Sequence, residues 1–571
     1  MNKYFTLLFS VFLMSGIQVQ GQDFESATNA VKNMGVGWNL GNTLDANNGS
    51  KQGLESETYW GQPNTKPELM KMMKDAGFGA IRVPVTWYNH MDSNNKVDEA
   101  WMRRVREVVD YVINQGLYCI LNVHHDTGNG DTHWLHASMS VYNSQKDRYE
   151  SLWRQIAEEF KNYGEKLLFE SYNEMLDKYN SWCFATFNTT SRYIASDAAD
   201  AYEAINSFAQ SFVNVVRATG GNNAKRNLIV NTYGACNGYG TWNNHLKDPL
   251  KEMKYPEDTA TGHIAFQVHA YPSIVNTNNS GQITGNRSMN EIKNEIDDMV
   301  SALKTYLVAK GGPVIIGEWG TSNVDNAETD YDARRELMFQ FCNYFVQKCK
   351  ENDMATFYWM GLSDGIARSF PAFTQPDLAK TILQTYHGSS FDPVLPDASN
   401  YGISCTVNFT NQWGELYLYN GKSFTSSDYK NIILELENAP ATDLLQWKVY
   451  SSKYPNGYTS NITSDVNTLT FAASMGSISK ITLQCKQSSG TVRVKSVKLT
   501  RKSDDKEMIS NPSVAWNCTI SDINVYSTGI NTVITDLVKT DGFIYDLTGR
   551  RLMQRPQKGI YIQNGKKYIA K

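Results

Sequence analysis

The chain has 571 residues, with 54 Lys and Arg against 58 Asp and Glu and a formal net charge of −4. That length leaves room for several domains. The near-balance of charge excludes an electrostatic case for nucleic acid or an anionic membrane as partner, since either calls for a basic surface. Aromatic residues are plentiful, with 32 Tyr, 23 Phe and 13 Trp, which suits large cores or surfaces that stack on flat apolar ligand faces.

The chain opens with Lys3 ahead of an apolar run from Phe5 to Ile17, followed by small and polar residues. This is the layout of a cleavable export signal over residues 1–21, with cleavage near Gly21. The run is shorter than the roughly 20 residues a membrane-spanning helix needs, so the mature protein is expected to be secreted or held at the cell surface. The first cysteine is Cys119, which argues against lipid attachment just behind the signal. The eight cysteines show no zinc-type spacing, and several lie in apolar runs where Cys packs as a small hydrophobe. Export permits a disulfide, but spacing does not give its pairing.

From residue 22 to 389 short apolar runs alternate with longer stretches of helical period, the pattern of repeated β-α units around a parallel sheet. The runs are Val36 to Leu40, Ala80 to Val85, Tyr118 to Val123, Leu167 to Tyr172, Leu228 to Thr232, Ile264 to Ala270, Val314 to Gly317 and Thr356 to Met360. Between them, ELMKMMKDAG, AWMRRVREVVDYVINQG, DAYEAINSFAQSFVNVVRATG and ARRELMFQFCNYFVQKCK repeat apolar residues every three or four positions. Eight such pairs predict an α/β fold, a (β/α)8 TIM barrel with long loops. Residues 390–399, rich in Pro and small polar residues, form the linker. Residues 400–525 alternate with period two and predict an all-β sandwich. In the tail, residues 526–571, KGIYIQNGKKYIAK predicts a hairpin turning at Asn564 and Gly565. All nine His precede the linker, so any His-dependent chemistry belongs to the barrel.

A TIM barrel builds its active site where the strands end. The polar residues there are Asn39 and Asn42 after the first run, Arg82 in the second, and His124, His125 and Asp126 after the third. Asn173 and Glu174 follow the fourth, His269 and Tyr271 stand at the end of the sixth, Glu318 and Trp319 follow the seventh, and Trp359 stands at the end of the eighth. Two carboxylates framed by Arg, His, Asn and Tyr fit glycosidic-bond cleavage, which needs one acid and one anionic nucleophile.

The stretches GWNLGNTLDA, GFGAIRVPVTW, ILNVHHD, LLFESYNE, QVHAYP, VIIGEWG and FYWMG stand in order at these strand ends. Together they resemble glycoside hydrolase family 5, and the first looks most like its endoglucanase and xyloglucanase subgroup. The resemblance implies Glu174 as general acid/base and Glu318 as nucleophile. Carboxyls about 5 to 5.5 Å apart would give retention of configuration. It further implies that Asn42, Arg82, His124, His125, Asn173, His269, Tyr271 and Trp359 bind substrate or orient the carboxyls. The partner is then a β-linked polysaccharide such as cellulose-like glucan or xyloglucan, with no cofactor, no metal and no need for more than a monomer. Xylan, mannan or mixed-linkage glucan are alternative substrates, and a glycan-binding protein without catalysis is an alternative function. One departure stands out: Met175 follows Glu174 where the family often has Pro. The insertion behind it carries Trp182, Phe184 and Phe187 beside the cleft.

His124, His125 and Asp126, with His133 and His136 downstream, also read as a metal set. Period-two alternation would point the two adjacent His side chains apart. Trp60, Trp87, Trp134 and Trp242 lie in loops after strands and line either the cleft or the core. In the sandwich, Trp413, Tyr417, Tyr419, Trp447, Tyr450, Tyr454, Tyr458 and Trp516 form either ordinary core or a carbohydrate-binding face. The last residues resemble the C-terminal sorting segments of exported Bacteroidetes proteins, the alternative being that they complete the sandwich.

Overall fold

The computed structural model describes residues 23–48, 53–128, 133–179, 195–238, 249–278, 282–321 and 334–527, with four short strands between 544 and 570. The export signal, most of the insertion with Trp182, Phe184 and Phe187, and Trp242 lie outside the described residues. The chain divides into two compact units, Met1–Pro396 and Asp397–Lys571.

Eight parallel strands close the barrel of the first unit. They are β1 (Val36–Asn39), β2 (Ala80–Val83), β3 (Tyr118–Asn122), β4 (Leu167–Glu170), β5 (Leu228–Asn231), β6 (Ile264–Ala270), β7 (Val314–Trp319) and β8 (Ala355–Tyr358). Side chains alternate along each strand, and this alternation divides the apolar interior into two cores. Outward residues such as Val83, Leu121, Phe169, Val230, Val268 and Ile316 pack under the surrounding helices. Inward residues Ala80, Ile120, Leu168, Ile229, Ala265, Ile315 and Phe357 fill the barrel itself, joined by Ala27, Ala30, Val31 and Met34 of helix α1 (Ala27–Met34). Gly37 leaves space for that filling, because a Cβ there would come within 2.4 Å of the Phe357 ring.

One step further along β1 to β6 the inward residue is polar: Asn39, Arg82, Asn122, Glu170, Asn231 and Gln267, all fully buried. The barrel interior therefore changes from apolar to polar at its C-terminal mouth. A register shift between Val268 and His269 lets β7 advance by one residue, so that His269 pairs with Glu318 and Ala270 with Trp319. Such a bulge re-aims side chains. Trp319 faces the outer core, stacked on Phe345 at 4.6 Å, and Glu318 faces the mouth. Gly317 makes this possible, since a Cβ there would meet the Gln267 amide at 2.2 Å.

Among its described residues the second unit contains three antiparallel sheets, two larger ones and a four-stranded one in the tail. Leu416, Leu418, Trp447, Val449, Ile481 and Leu483 bury one face of the sheet that includes Glu415–Phe424, Leu445–Ser451 and Ile478–Cys485. Trp447, at 2% exposure, is therefore core and no part of a binding face. In the tail, Gly559–Gln563 pairs antiparallel with Lys566–Ala570, the hairpin that alternation predicts. The seven described cysteines are all buried and free. No helix among the described residues is long and apolar enough to cross a membrane.

Candidate active site

Strand β4 stops at Glu170, and the four residues after it carry the chain over the barrel mouth. That segment is held in place by its own polar groups. The Tyr172 hydroxyl donates to the carbonyls of Ile205 and Asn231 at 3.1 and 3.0 Å. Asn231 Nδ2 donates to the Asn173 carbonyl at 3.0 Å, and the Glu174 amide donates to Thr127 Oγ1 at 3.1 Å. Glu174 and Glu318 thus meet across the mouth: one carboxyl oxygen of each and a ring nitrogen of His269 all lie within 4.8 Å of one another. Both side chains remain slightly open to solvent, at 14% and 7% exposure, so a ligand can reach them.

The two carboxyls stand in unlike surroundings. Glu318 Oε1 accepts from Arg82 Nη1 at 2.7 Å, and its Oε2 accepts from the Tyr271 hydroxyl at 2.7 Å. Burial raises its pKa, but the Arg82 charge and these two donors pull the other way. Burial and the facing Glu318 hold Glu174 well above the usual carboxylate range, with Arg82 only partly offsetting them. The proton of the pair therefore resides on Glu174. His269 Nδ1 lies 2.7 Å from Glu174 Oε1 and 3.5 Å from Glu318 Oε2. Burial and the Arg82 charge push its ring well below the ordinary histidine range, so it is a neutral partner.

Arg82 links these groups to the rest of the site. Burial opposes its charge, but the carboxylates of Glu170 and Glu318 hold the guanidinium above the usual arginine range. Its Nη2 donates to Asn173 Oδ1 at 2.7 Å, which turns the Asn173 amide nitrogen away from Arg82. His124 contacts Asn122 Nδ2 through Nδ1 at 3.0 Å and places Nε2 3.9 Å from Glu318 Oε1. The half-buried Trp359 ring lies parallel to it at 5.8 Å. Gly41 passes beneath that ring, where a Cβ would approach to 2.9 Å.

Asn42 and His125 belong to a separate part of the rim. Asn42 adopts a left-handed backbone at φ 59, and its amide donates to Asp45 Oδ2 at 3.1 Å. His125 Nε2 lies 3.6 Å from the same oxygen, with Trp60 edge-on at 5.2 Å. Strand alternation fails as a guide to the two adjacent His, because β3 ends at Asn122 and both lie beyond it. Their rings meet edge to face at 4.5 Å. Among the described residues, two groups are close enough to share a cation: Asp45 with His124 and His125, and Glu174 with His269 and Glu318. His133 and His136 join neither; the His136 ring contacts the His133 carbonyl at 2.8 Å.

Asp126 is structural. It accepts the Trp87 amide at 2.8 Å and Trp134 Nε1 at 2.6 Å, and burial pushes its carboxyl up to about 6. Trp87 is fully buried and donates Nε1 to the Asn122 carbonyl at 2.9 Å, so it supports the strand instead of lining the cleft. Sequence reasoning missed Glu170, Asn122 and Asn231, which are fully buried at the barrel mouth beneath the facing carboxyls. Counting in twos from Leu168 or Ile120 would have placed Glu170 and Asn122 inside the barrel.

Residues 44–364 match the model of the cellulase family, glycosyl hydrolase family 5. Endoglucanase A of Clostridium longisporum is 33% identical over 363 residues, which cover 62% of this chain and 63% of that protein. The match thus spans a little under two thirds of that relative's length. A solved GH5-4 broad specificity endoglucanase from an uncultured bacterium is 60% identical, covers 65% of this chain and 98% of its own, and superposes with a TM-score of 0.61. A glycoside hydrolase family 5 enzyme from Prevotella bryantii, solved with a xyloglucan tetradecasaccharide, is 40% identical with a TM-score of 0.56, over 64% and 99% of the two chains. The family match takes in more than half the sequence and carries the facing carboxyls, so the chain belongs to the cellulase family, glycosyl hydrolase family 5.

Proposed function

We propose that this chain is an exported endo-β-1,4-glucanase that cleaves internal bonds of cellulose-like glucan or xyloglucan with retention of configuration. One observation carries the reading: two carboxyl groups face each other within 4.8 Å, one holding a proton and the other braced as an anion. A separation this short leaves no room for a water between carboxylate and sugar, which inversion requires. Glu174 gives its proton to the glycosidic oxygen as Glu318 attacks the anomeric carbon, so the leaving chain departs as an alcohol and a glycosyl ester forms. Glu174, now ionised, takes a proton from water. The resulting hydroxide equivalent opens the ester, and Glu318 leaves as carboxylate.

Asn173, held at Oδ1 by Arg82, presents its amide nitrogen to the sugar 2-hydroxyl. Trp359 offers a flat wall for the sugar before the scissile bond. The broad-specificity and xyloglucan-bound relatives favour a glucan backbone that tolerates branches. Proton NMR of the first products from a soluble glucan tests the stereochemistry, with the β-anomer expected. An aryl β-cellobioside with an acidic leaving group separates the roles: Glu174→Ala should still release the aryl group, while Glu318→Ala should not. Full activity of either variant on glucan would overturn the assignment. Export is supported by the Lys3 to Ile17 segment, and N-terminal sequencing of protein from the medium should begin near residue 22.

The second unit carries a surface suited to the same polymer. Trp413 and Trp516 are 44% and 48% exposed, and both neighbour Glu415, one two residues away and the other across the strand pair. Trp413 is held at φ 67, a conformation costly for a bulky residue. Beside it, buried Glu415 accepts from Lys448 Nζ at 2.8 Å, Tyr450 at 3.0 Å and Gln484 Nε2 at 2.7 Å. Indole faces next to an ordered polar network fit a glucan chain, whose rings have apolar faces and hydroxyl edges.

A further inference from the structure

Glu170 is fully buried four residues before Glu174, below the reach of any sugar. It binds Arg82 in a two-point contact, Nε to Oε2 at 2.7 Å and Nη2 to Oε1 at 2.8 Å. Asn122 Nδ2 and Asn231 Nδ2 also donate to Oε1, at 3.1 and 3.2 Å. Arg82 is thereby left with Nη1 for Glu318 at 2.7 Å and for Asn39 Oδ1 at 3.0 Å, and with part of Nη2 for Asn173. A guanidinium prefers to grip a carboxylate by two parallel bonds. Here that grip is already taken from below, by a residue in no contact with the reacting atoms.

We propose that Glu170 is a positioning residue for the hydrolysis: by occupying the two-point edge of the Arg82 fork, it limits Glu318 to a one-point contact and keeps the nucleophile's charge uncompensated. Arg82 carries one positive charge against two carboxylates, so the buried assembly retains one negative charge for attack on the anomeric carbon. Without Glu170, Arg82 would be free to swing its fork onto Glu318, forming a neutral pair with a muted nucleophile and releasing Asn173. The negative charge of Glu170 also makes both Glu174 and Glu318 harder to ionise. The other titratable groups around this assembly are Arg82 from β2, His124 after β3, and His269 and Tyr271 at the end of β6. This inference rests on the acid/base and nucleophile roles proposed above.

The test is the pH profile of kcat/KM for the full chain carrying Glu170→Gln, with Glu170→Asp alongside. Loss of the charge should lower kcat about tenfold or more with KM little changed. Both limbs of the profile should move to lower pH, since both catalytic carboxyls then ionise more readily. Glu170→Asp keeps the charge and disturbs the fork, so kcat should fall while the limbs stay near the wild-type positions. A residue needed only for folding would lower melting temperature and the amount of active enzyme and leave the limbs in place. A folded Glu170→Gln enzyme with wild-type kcat and limbs overturns the proposal. If that variant does not fold, a Glu170→Asp enzyme with wild-type kcat overturns it instead. Failure of the underlying roles reads out separately, as activity surviving in Glu318→Ala or an inverted first product.

Discussion

Replacing Tyr271 by Phe deletes a hydroxyl that donates to Glu318 Oε2 at 2.7 Å and leaves in place a ring resting against Gly320. A buried hydrogen bond to a charged acceptor contributes about 1.5 to 3 kcal/mol, and each 1.4 kcal/mol is about tenfold in rate. The loss should therefore lie between about 10- and 100-fold. It should fall unevenly on the two chemical steps. The hydroxyl favours Glu318 as an anion, which in the proposed mechanism is its state before attack and again as it leaves the sugar. Removing the donor makes Glu318 a more basic nucleophile but a poorer leaving group, so breakdown of the glycosyl ester should slow most. With a dinitrophenyl β-cellobioside, stopped-flow absorbance should show a burst of one phenolate per active site followed by a slow steady rate. The acidic limb of the pH profile should move to higher pH, because an anion that loses a donor has a higher pKa. A variant with no burst and an acidic limb at or below the wild-type position would refute the reasoning.

The buried Asp126 carboxyl, pushed from 3.8 to about 6, favours the folded state only while protonated; that contribution is present below about pH 4 and lost as pH rises through 6. Relative to Asp126→Asn, the wild type should lose on the order of 3 kcal/mol between pH 4 and 7, and melting curves of the two proteins across that range check it. In the second unit, Trp413→Ala with Trp516→Ala should leave kcat on soluble cello-oligosaccharides unchanged and weaken retention on insoluble glucan about tenfold. Pull-down depletion measures this, and equal depletion by both proteins would remove the glucan-binding face.

The barrel was legible because its signals are local. Eight apolar runs announce eight strands whatever the loops do, and the stretches at their ends put Glu174, Glu318, Arg82, His269 and Tyr271 within reach of one another. What escaped depends on where a strand stops. Asn173 and Glu174 read as the end of β4, although β4 stops at Glu170 and the loop beyond is set by its own Tyr172 and by Asn231 and Thr127 from elsewhere in the chain. The same displacement misled the reading of His124 and His125, where a strand rule was applied past the strand. Trp87 and Trp447 show that a large aromatic in a loop or near a turn is as readily core as surface, since one sequence gives period but not which layer covers it. The register shift that turns Glu318 inward has a trace in Gly317, yet only the neighbouring Gln267 amide explains why that position is Gly.

On the proposed roles, the buried charges at the mouth would let one carboxyl act as acid first and base afterwards. In the proposed cycle the resting Glu318 is an anion within 4.8 Å of Glu174, and its charge stands after burial among the causes that raise Glu174. Ester formation would remove that charge, while Arg82, anchored by Glu170, would keep its own. The balance facing Glu174 then shifts from negative toward positive, so its pKa must fall just when a base is needed. Trapping the glycosyl-enzyme with a 2-fluoro cellobioside and following carbon-13 labelled Glu174 by NMR should show it titrating well below its position in the free enzyme. An unchanged titration would mean that burial alone sets its proton affinity, and that Glu318 does not govern the exchange of roles.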